Sequence, residues 1–211
     1  AELFTTELSR LGATVATRVR LLISPRDGVE IREVLGYDLV QGERGGHINI
    51  ADLHAGETRK VIVALQVDAR ASGSMQLADL EASFFEPGSR AISTLARKLG
   101  AEITNDQSLV DRNRDMMANR LIERARTAMA IQEATEFYEQ GNRAEANRIL
   151  DERNFENQAI AADLGDADFA VEMQETQLRV KGNFAKAPAA SSGAGKKARK
   201  KNRKDAYKLM Y

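Results

Sequence analysis

The chain has 211 residues, 43% of them hydrophobic, which is enough for one or two small domains with real cores. With no cysteine it cannot form disulfides, cysteine-ligated zinc, iron–sulfur clusters or a thiol nucleophile, and a reducing compartment is expected. Its 31 basic and 31 acidic residues balance overall, yet residues 186–211 hold nine Lys or Arg against the single acid Asp205, leaving 22 basic and 30 acidic residues elsewhere.

Residues 1–11 read as a short helix, with Leu3, Phe4, Leu8 and Leu11 at helical spacing and Gly12 behind them. From Ala13 the apolar period becomes two. Val15, Val19, Leu21 and Ile23 share one parity, and Ser24-Pro25-Arg26-Asp27-Gly28 is a turn signal. Short strands follow around Val29–Tyr37 and His47–Ala51. The strongest covers residues 58–67, where Val61, Val63, Leu65 and Val67 alternate with polar positions. Residues 75–86 alternate again up to Pro87-Gly88, and a weaker strand covers Ala91–Thr104. Short strands separated by turn signals predict an antiparallel, Ig-like β-sandwich over residues 12–105.

At Asn105-Asp106 the period changes to three or four. Asp106 is a good N-cap for one long helix over residues 107–140. Its apolar stripe comprises Leu109, Met116, Met117, Leu121, Ala125, Ala128, Met129 and Tyr138. Gly141-Asn142 breaks it, a second helix covers residues 143–164, and Gly165-Asp166 precedes a third, residues 167–181. Residues 106–181 thus read as a helical hairpin or three-helix segment. Residues 182–211, rich in small residues and like charge, read as a flexible, disordered basic tail whose end, Tyr207 to Tyr211, can dock. The fold class expected is α+β.

The search for chemistry returns little. His47 and His54 lie near Asp52 and Glu57 but lack a third ligand at a metal-site spacing. Asp68-Ala-Arg-Ala-Ser-Gly-Ser has the wrong spacing for an acid-and-serine metal loop and fits a turn. There is no nucleophile elbow, phosphate loop or dinucleotide fingerprint. Paired acids such as Glu133 and Glu136, or Glu172 and Glu175, fall on exposed helix faces, where carboxylates keep ordinary pKa values. No catalytic residue, cofactor or metal is expected, and no enzyme activity. The candidate partner-binding residues are Met116, Met117, Leu121 and Met129 on the helical stripe, and the basic run Lys196, Lys197, Arg199, Lys200, Lys201, Arg203 and Lys204. That run suits a self-docking tail, an acidic partner, anionic lipid headgroups or the phosphates of a nucleic acid.

The stretch from Leu3 to Asp38, then Pro25, Gly28 and Val29 as a turn, Asp52, Leu53, Ala55, Gly56, Glu57, Arg59 and Val61 as a segment, and the run Phe84-Phe85-Glu86-Pro87-Gly88-Ser89-Arg90 resemble a bacterial family. They are similar to the region just after the von Willebrand factor A (VWA) domain in proteins of the calcium-activated-chloride-channel-like kind. Ala134, Gly141, Asn142, Ala146 and Leu150 resemble that family's following helical segment. The resemblance implies a non-catalytic scaffolding module, with the VWA domain and its metal-ion-dependent adhesion site outside this sequence. The partners implied are a MoxR-type AAA+ ATPase or a VWA domain; a second copy of the chain is also compatible. The chain begins at Ala1 rather than Met, so a fragment or processed product of a cytoplasmic protein is expected.

Overall fold

A computed structural model describes residues 14–187 and 189–210. The expected helix over residues 1–11 lies outside them. The chain divides into two compact units, the first ending at Arg114 and the second beginning at Asp115.

The first unit holds β1 (Thr14–Pro25), β2 (Val29–Leu35), β3 (Val40–Gly42), β4 (Gly45–Ile50), β5 (Leu53–His54), β6 (Ile62–Val67), β7 (Gly73–Glu86), β8 (Ala91–Ile103) and a short helix α1 (Gln107–Arg112). One sheet runs β3-β4-β1-β7-β8 with β5 also on β1, and β2 and β6 pair separately as a ribbon. All pairings are antiparallel. Ile23, Ile48 and Ala78 from the sheet meet Val34 from the ribbon in the core, with Leu21, Ile31, Val63 and Leu80 packed around them.

The phase of β1 departs from simple alternation. A register shift between Thr17 and Arg20 accompanies Arg18 at φ 53°, a left-handed conformation costly for a side chain. The extra residue turns Ala16 inward and leaves Val15 exposed, while Val19 and Ile23 keep the predicted face. Arg18 places its guanidinium 5.7 Å from the Phe85 ring centroid. Gly45 is needed where β4 starts: its φ is 123°, and a Cβ there would lie 2.2 Å from the Ile23 carbonyl oxygen.

The second unit holds α2 (Met116–Glu139), α3 (Arg143–Leu164), α4 (Ala167–Ala185) and α5 (Gly193–Met210). The one long helix expected over residues 107–140 is two. Asp115 starts α2 by accepting the Ala118 N–H at 3.0 Å. Gly165, at φ 66°, ends α3, and Asp166 caps α4. Each helix packs on its neighbour in sequence, and α5 packs back on α2. The core is Ala125, Ala128, Ile131, Ala134 and Tyr138 of α2, Ala146, Ile149 and Leu150 of α3, and Phe169, Met173, Val180 and Phe184 of α4. Tyr138 stacks on Phe184 at 4.4 Å between centroids and donates its hydroxyl to the Ala187 carbonyl.

The expected Ig-like β-sandwich followed by a helical hairpin and a disordered basic tail is therefore corrected. The strands are not a regular set of similar length divided between two comparable sheets. β7 and β8 are a long hairpin of 14 and 13 residues, and the opposing layer is a two-stranded ribbon. The helical part is four packed helices. Residues 193–210 of the expected tail are ordered because their buried positions Gly195, Ala198, Asn202, Ala206 and Met210 recur every three or four residues. Most are too small to register as an apolar stripe, yet their size lets helices approach closely.

α2 and α3 are also joined by buried polar groups. Arg153 donates to Glu123, to Asn157 Oδ1 at 2.6 Å and to Glu156 Oε2 at 2.7 Å, while Asn157 Nδ2 donates to Thr127 Oγ1 at 3.0 Å. Removing one ion of such a pair strands the other in a low-dielectric site, at a cost of about 3–5 kcal/mol, whereas replacing both by apolar groups is often neutral. Arg153→Leu leaves Glu123 only the half-exposed Arg126, 3.5 Å away, and is expected to lower stability by up to about that amount in urea denaturation of the full chain. The double variant Glu123→Leu/Arg153→Leu should recover most of the loss; an equal loss in both would refute the assignment.

Candidate functional site

Two features of the units are left open, and they differ in chemistry. The first is β8. It is the last strand of its sheet, so one backbone edge has no partner strand among the described residues. Register fixes its faces: Leu80 pairs with Arg97, Ala82 with Leu95 and Ala78 with Leu99. Directly paired residues share a face. Leu95 and Leu99 therefore lie on the face that carries the core residues Ala78 and Leu80, but are 57% and 38% exposed. Ile92, 77% exposed, pairs with Phe85 on the other face. The hairpin end is held by Glu86, which accepts from Ser93 Oγ at 2.5 Å and Ser89 Oγ at 2.9 Å. The Ser93 hydroxyl, and then that of Ser89, hold this carboxyl below its ordinary pKa. Arg97 covers part of the edge by donating to the Ala96 carbonyl at 2.9 Å.

The second feature is α5. Arg199 and Arg203 reach Glu139 at 2.9 and 2.7 Å, and Asp205 accepts from Arg179 at 3.1 Å. These pairs hold the flanks of the helix to α2 and α4. Lys196, Lys197, Lys200, Lys201 and Lys204 are all exposed, as is Lys208. The predicted basic run is thus divided: its two arginines fasten the helix and its lysines face outward.

The predicted methionine stripe is divided as well. Met116 and Met117 are 41% and 62% exposed at the start of α2, while Leu121 and Met129 are half-buried beside the small-residue core of the same helix. Met116 and Met117 line a depression of about 600 Å³ with Arg120, Gly165, Asp166 and Asp168. Its floor is occupied by an ion pair: Arg120 donates to Asp166 from Nε and Nη2 at 2.5 and 2.6 Å. These bonds hold the Asp166 carboxyl below the usual carboxylate range and raise the Arg120 guanidinium; burial opposes the shift in both, and the Phe169 N–H adds to it for Asp166. A carboxylate so engaged is a structural clamp at a helix start.

The two histidines do not meet. His47 lies in β4 opposite Leu22, whereas His54 Nδ1 is 3.1 Å from Thr14 Oγ1. Among the described residues no group of three or more His, Cys, Asp or Glu side chains has the arrangement of a metal site. Asp68 accepts from Arg70 at 3.1 Å beside a loop depression that also includes Ser72 and Ser74. No described helix is long and apolar enough to cross a membrane.

Sequence reasoning did not single out Leu95 and Leu99. Their alternation with Arg97 was the available signal; their exposure depends on how much of the sheet the ribbon covers.

No known family model matches the chain, and no curated protein matches it. Solved structures do. A von Willebrand factor type A protein from Catenulispora acidiphila superposes with a TM-score of 0.59 at 18% identity over 91% of this chain and 49% of that one. The ArnB paralog VWA2 from Sulfolobus acidocaldarius gives 0.47 at 15% identity over 92% of this chain and 43% of that one. The chain spans about half the length of the first protein, and the likeness is one of fold, an α+β fold shared with a von Willebrand factor type A protein. The likeness separates off no sandwich-plus-hairpin module lying after a VWA domain, and that reading is corrected with the fold class.

The depressed Asp166 pKa has a definite sign. Its stabilisation is present above the unfolded-state value of about 3.9 and is lost as pH falls through the lower folded value. Asp166→Asn keeps a capping side chain but removes the charge. The variant should melt below the parent at neutral pH, with the gap narrowing as pH falls below about 3.9. A gap of constant size across that range would show that the ion pair contributes nothing.

Proposed function

We propose that the chain is a non-catalytic protein-interaction module of a von Willebrand factor type A protein, and that its partner engages β8. The supporting observation is the unpaired edge of a 13-residue strand bearing Leu95 and Leu99 beyond the ribbon's cover. An added strand would satisfy the open N–H and C=O groups while its side chains cover the two leucines. Unpaired backbone gives affinity with little sequence demand, and the leucines supply the anchor. The partners that fit this reading are a VWA domain, a MoxR-type AAA+ ATPase or a second copy of the chain.

The module performs no bond chemistry in this reading. Four of its acidic groups are committed to structure: Glu123 and Asp166 to arginines, Glu86 to two serines, and Asp106 to the start of α1.

The test is binding of the full chain to each of the three partners, by interferometry for the first two and sedimentation for self-association. Leu95→Lys/Leu99→Lys should weaken the interaction at least about tenfold, which is about 1.4 kcal/mol. Both residues are exposed enough for the fold to survive, as an unchanged melting temperature would verify. Failure of all three partners to bind at about 100 µM, or binding indifferent to the double substitution, would overturn the reading.

A further inference from the structure

The outward face of α5 takes no part in the β8 reading and carries a separate conclusion. Six lysines, Lys196, Lys197, Lys200, Lys201, Lys204 and Lys208, are exposed on an 18-residue helix. None is ion-paired with another described residue, and the helix's one acid, Asp205, is held by Arg179. Residues 197, 201, 204 and 208 follow a single line along the helix at spacings of four, three and four, with 196 and 200 beside it. The buried line of Gly195, Ala198, Asn202, Ala206 and Met210 lies on the opposite side.

This face is costly to the isolated protein. Lys196 and Lys200, Lys197 and Lys201, Lys200 and Lys204, and Lys204 and Lys208 are like-charge pairs four residues apart, each unfavourable by about 0.2–0.5 kcal/mol. Lys196 also stands in the first turn, where the helix dipole disfavours cations. A bound polyanion would relieve both.

We propose that this lysine face binds the phosphate backbone of duplex nucleic acid without regard to sequence. Residues 197 to 208 span about 16 Å of helix, and a duplex presents one charge per about 1.7 Å of its axis, so several phosphates fall within reach of the line. Lysines are flexible point charges that suit phosphate oxygens and do not supply the bidentate geometry that reads bases. The groups on α5 able to do that are engaged: Arg199 and Arg203 with Glu139, and Asn202 with Asn183 in the interior. A bilayer is disfavoured because an interfacial helix needs a continuous free apolar face, whereas α5 turns Ala198, Ala206 and Met210 into the bundle and leaves Tyr207, 50% exposed, as its one outward large apolar side chain. An acidic protein would need carboxylates placed to match the line, whereas a phosphate backbone is regular by nature.

The test is anisotropy of a labelled duplex of about 24 base pairs and arbitrary sequence, titrated with the full chain between about 50 and 200 mM NaCl. Four neutralised phosphates give a slope of about −3.6 in log K against log salt, roughly a 150-fold loss over that range. Lys197→Gln/Lys201→Gln/Lys204→Gln/Lys208→Gln should cut affinity more than about tenfold at the lower salt while leaving the helical circular dichroism unchanged. Parallel titrations use vesicles of about 30% phosphatidylserine and poly-glutamate. No binding to duplex at about 50 mM NaCl, equal binding by the quadruple variant, or vesicles or poly-glutamate bound as tightly as duplex would each overturn the proposal. Failure here leaves the β8 reading untouched, because that surface belongs to another unit and is altered by other substitutions.

Discussion

Close approach of α5 to its neighbours is the constraint on which the second unit depends. A helix with so many cations and so little apolar area cannot hold its place by burying large side chains. Instead Gly195, Ala198 and Ala206 let it approach closely, and Asn202, fully buried, accepts from Asn183 Nδ2 at 2.7 Å. Gly195 sits so near the preceding loop that a Cβ would come within 2.3 Å of the Ala190 carbonyl oxygen. Arg199 and Arg203 neutralise Glu139, an acid at the C-terminal end of α2 where the helix dipole is also negative. The fastening consumes the arginines and the one acid of α5, and the lysines are what remains outside.

The first unit shows a similar division between what is covered and what is left. The ribbon of β2 and β6 meets the sheet over Ile23, Ile48 and Ala78, and that is where burial is complete. Leu95 and Leu99 continue the same face on β8, where they stay exposed. An apolar face that carries on past its cover, next to an unpaired backbone edge, is an arrangement that soluble proteins usually blunt with charge or a bulge. Arg97 and Lys98 provide some of that protection, on a strand that is otherwise open. The two open surfaces therefore differ in chemistry, one an apolar strand edge and the other a face of lysines.

Much of the local structure was legible because the residues responsible act over short range. Gly141-Asn142 and Gly165-Asp166 mark helix ends through backbone conformation and capping, and the structure has caps at both. The alternation read over residues 58–67 marks a strand on its own, of which Ile62–Val67 form β6. What failed depended on partners distant in sequence. Val15 fits the parity of Val19 and Ile23, but the register shift beyond Thr17 reverses it, and nothing local announces that shift. The Ig-like arrangement was inferred from strand spacing, which does not specify how strands divide between layers. Residues 193–210 look disordered by composition because alanine, glycine and asparagine score as weakly apolar; their seam is visible only against α2 and α4. For the candidate surfaces, the lysines could be named beforehand but not separated from Arg199 and Arg203, whose acid lies on another helix.

The ordering of α5 is the claim that most else assumes, and amide hydrogen exchange measures it directly. In the full chain near neutral pH, the amides of Ala198 to Ala206 are expected to exchange far more slowly than an unstructured peptide, with protection close to that of the α2 residues around Ile131. Ala206→Leu, which overfills a fully buried position, should lower protection across α5. Exchange of residues 198–206 at the rate of a free peptide would contradict the account.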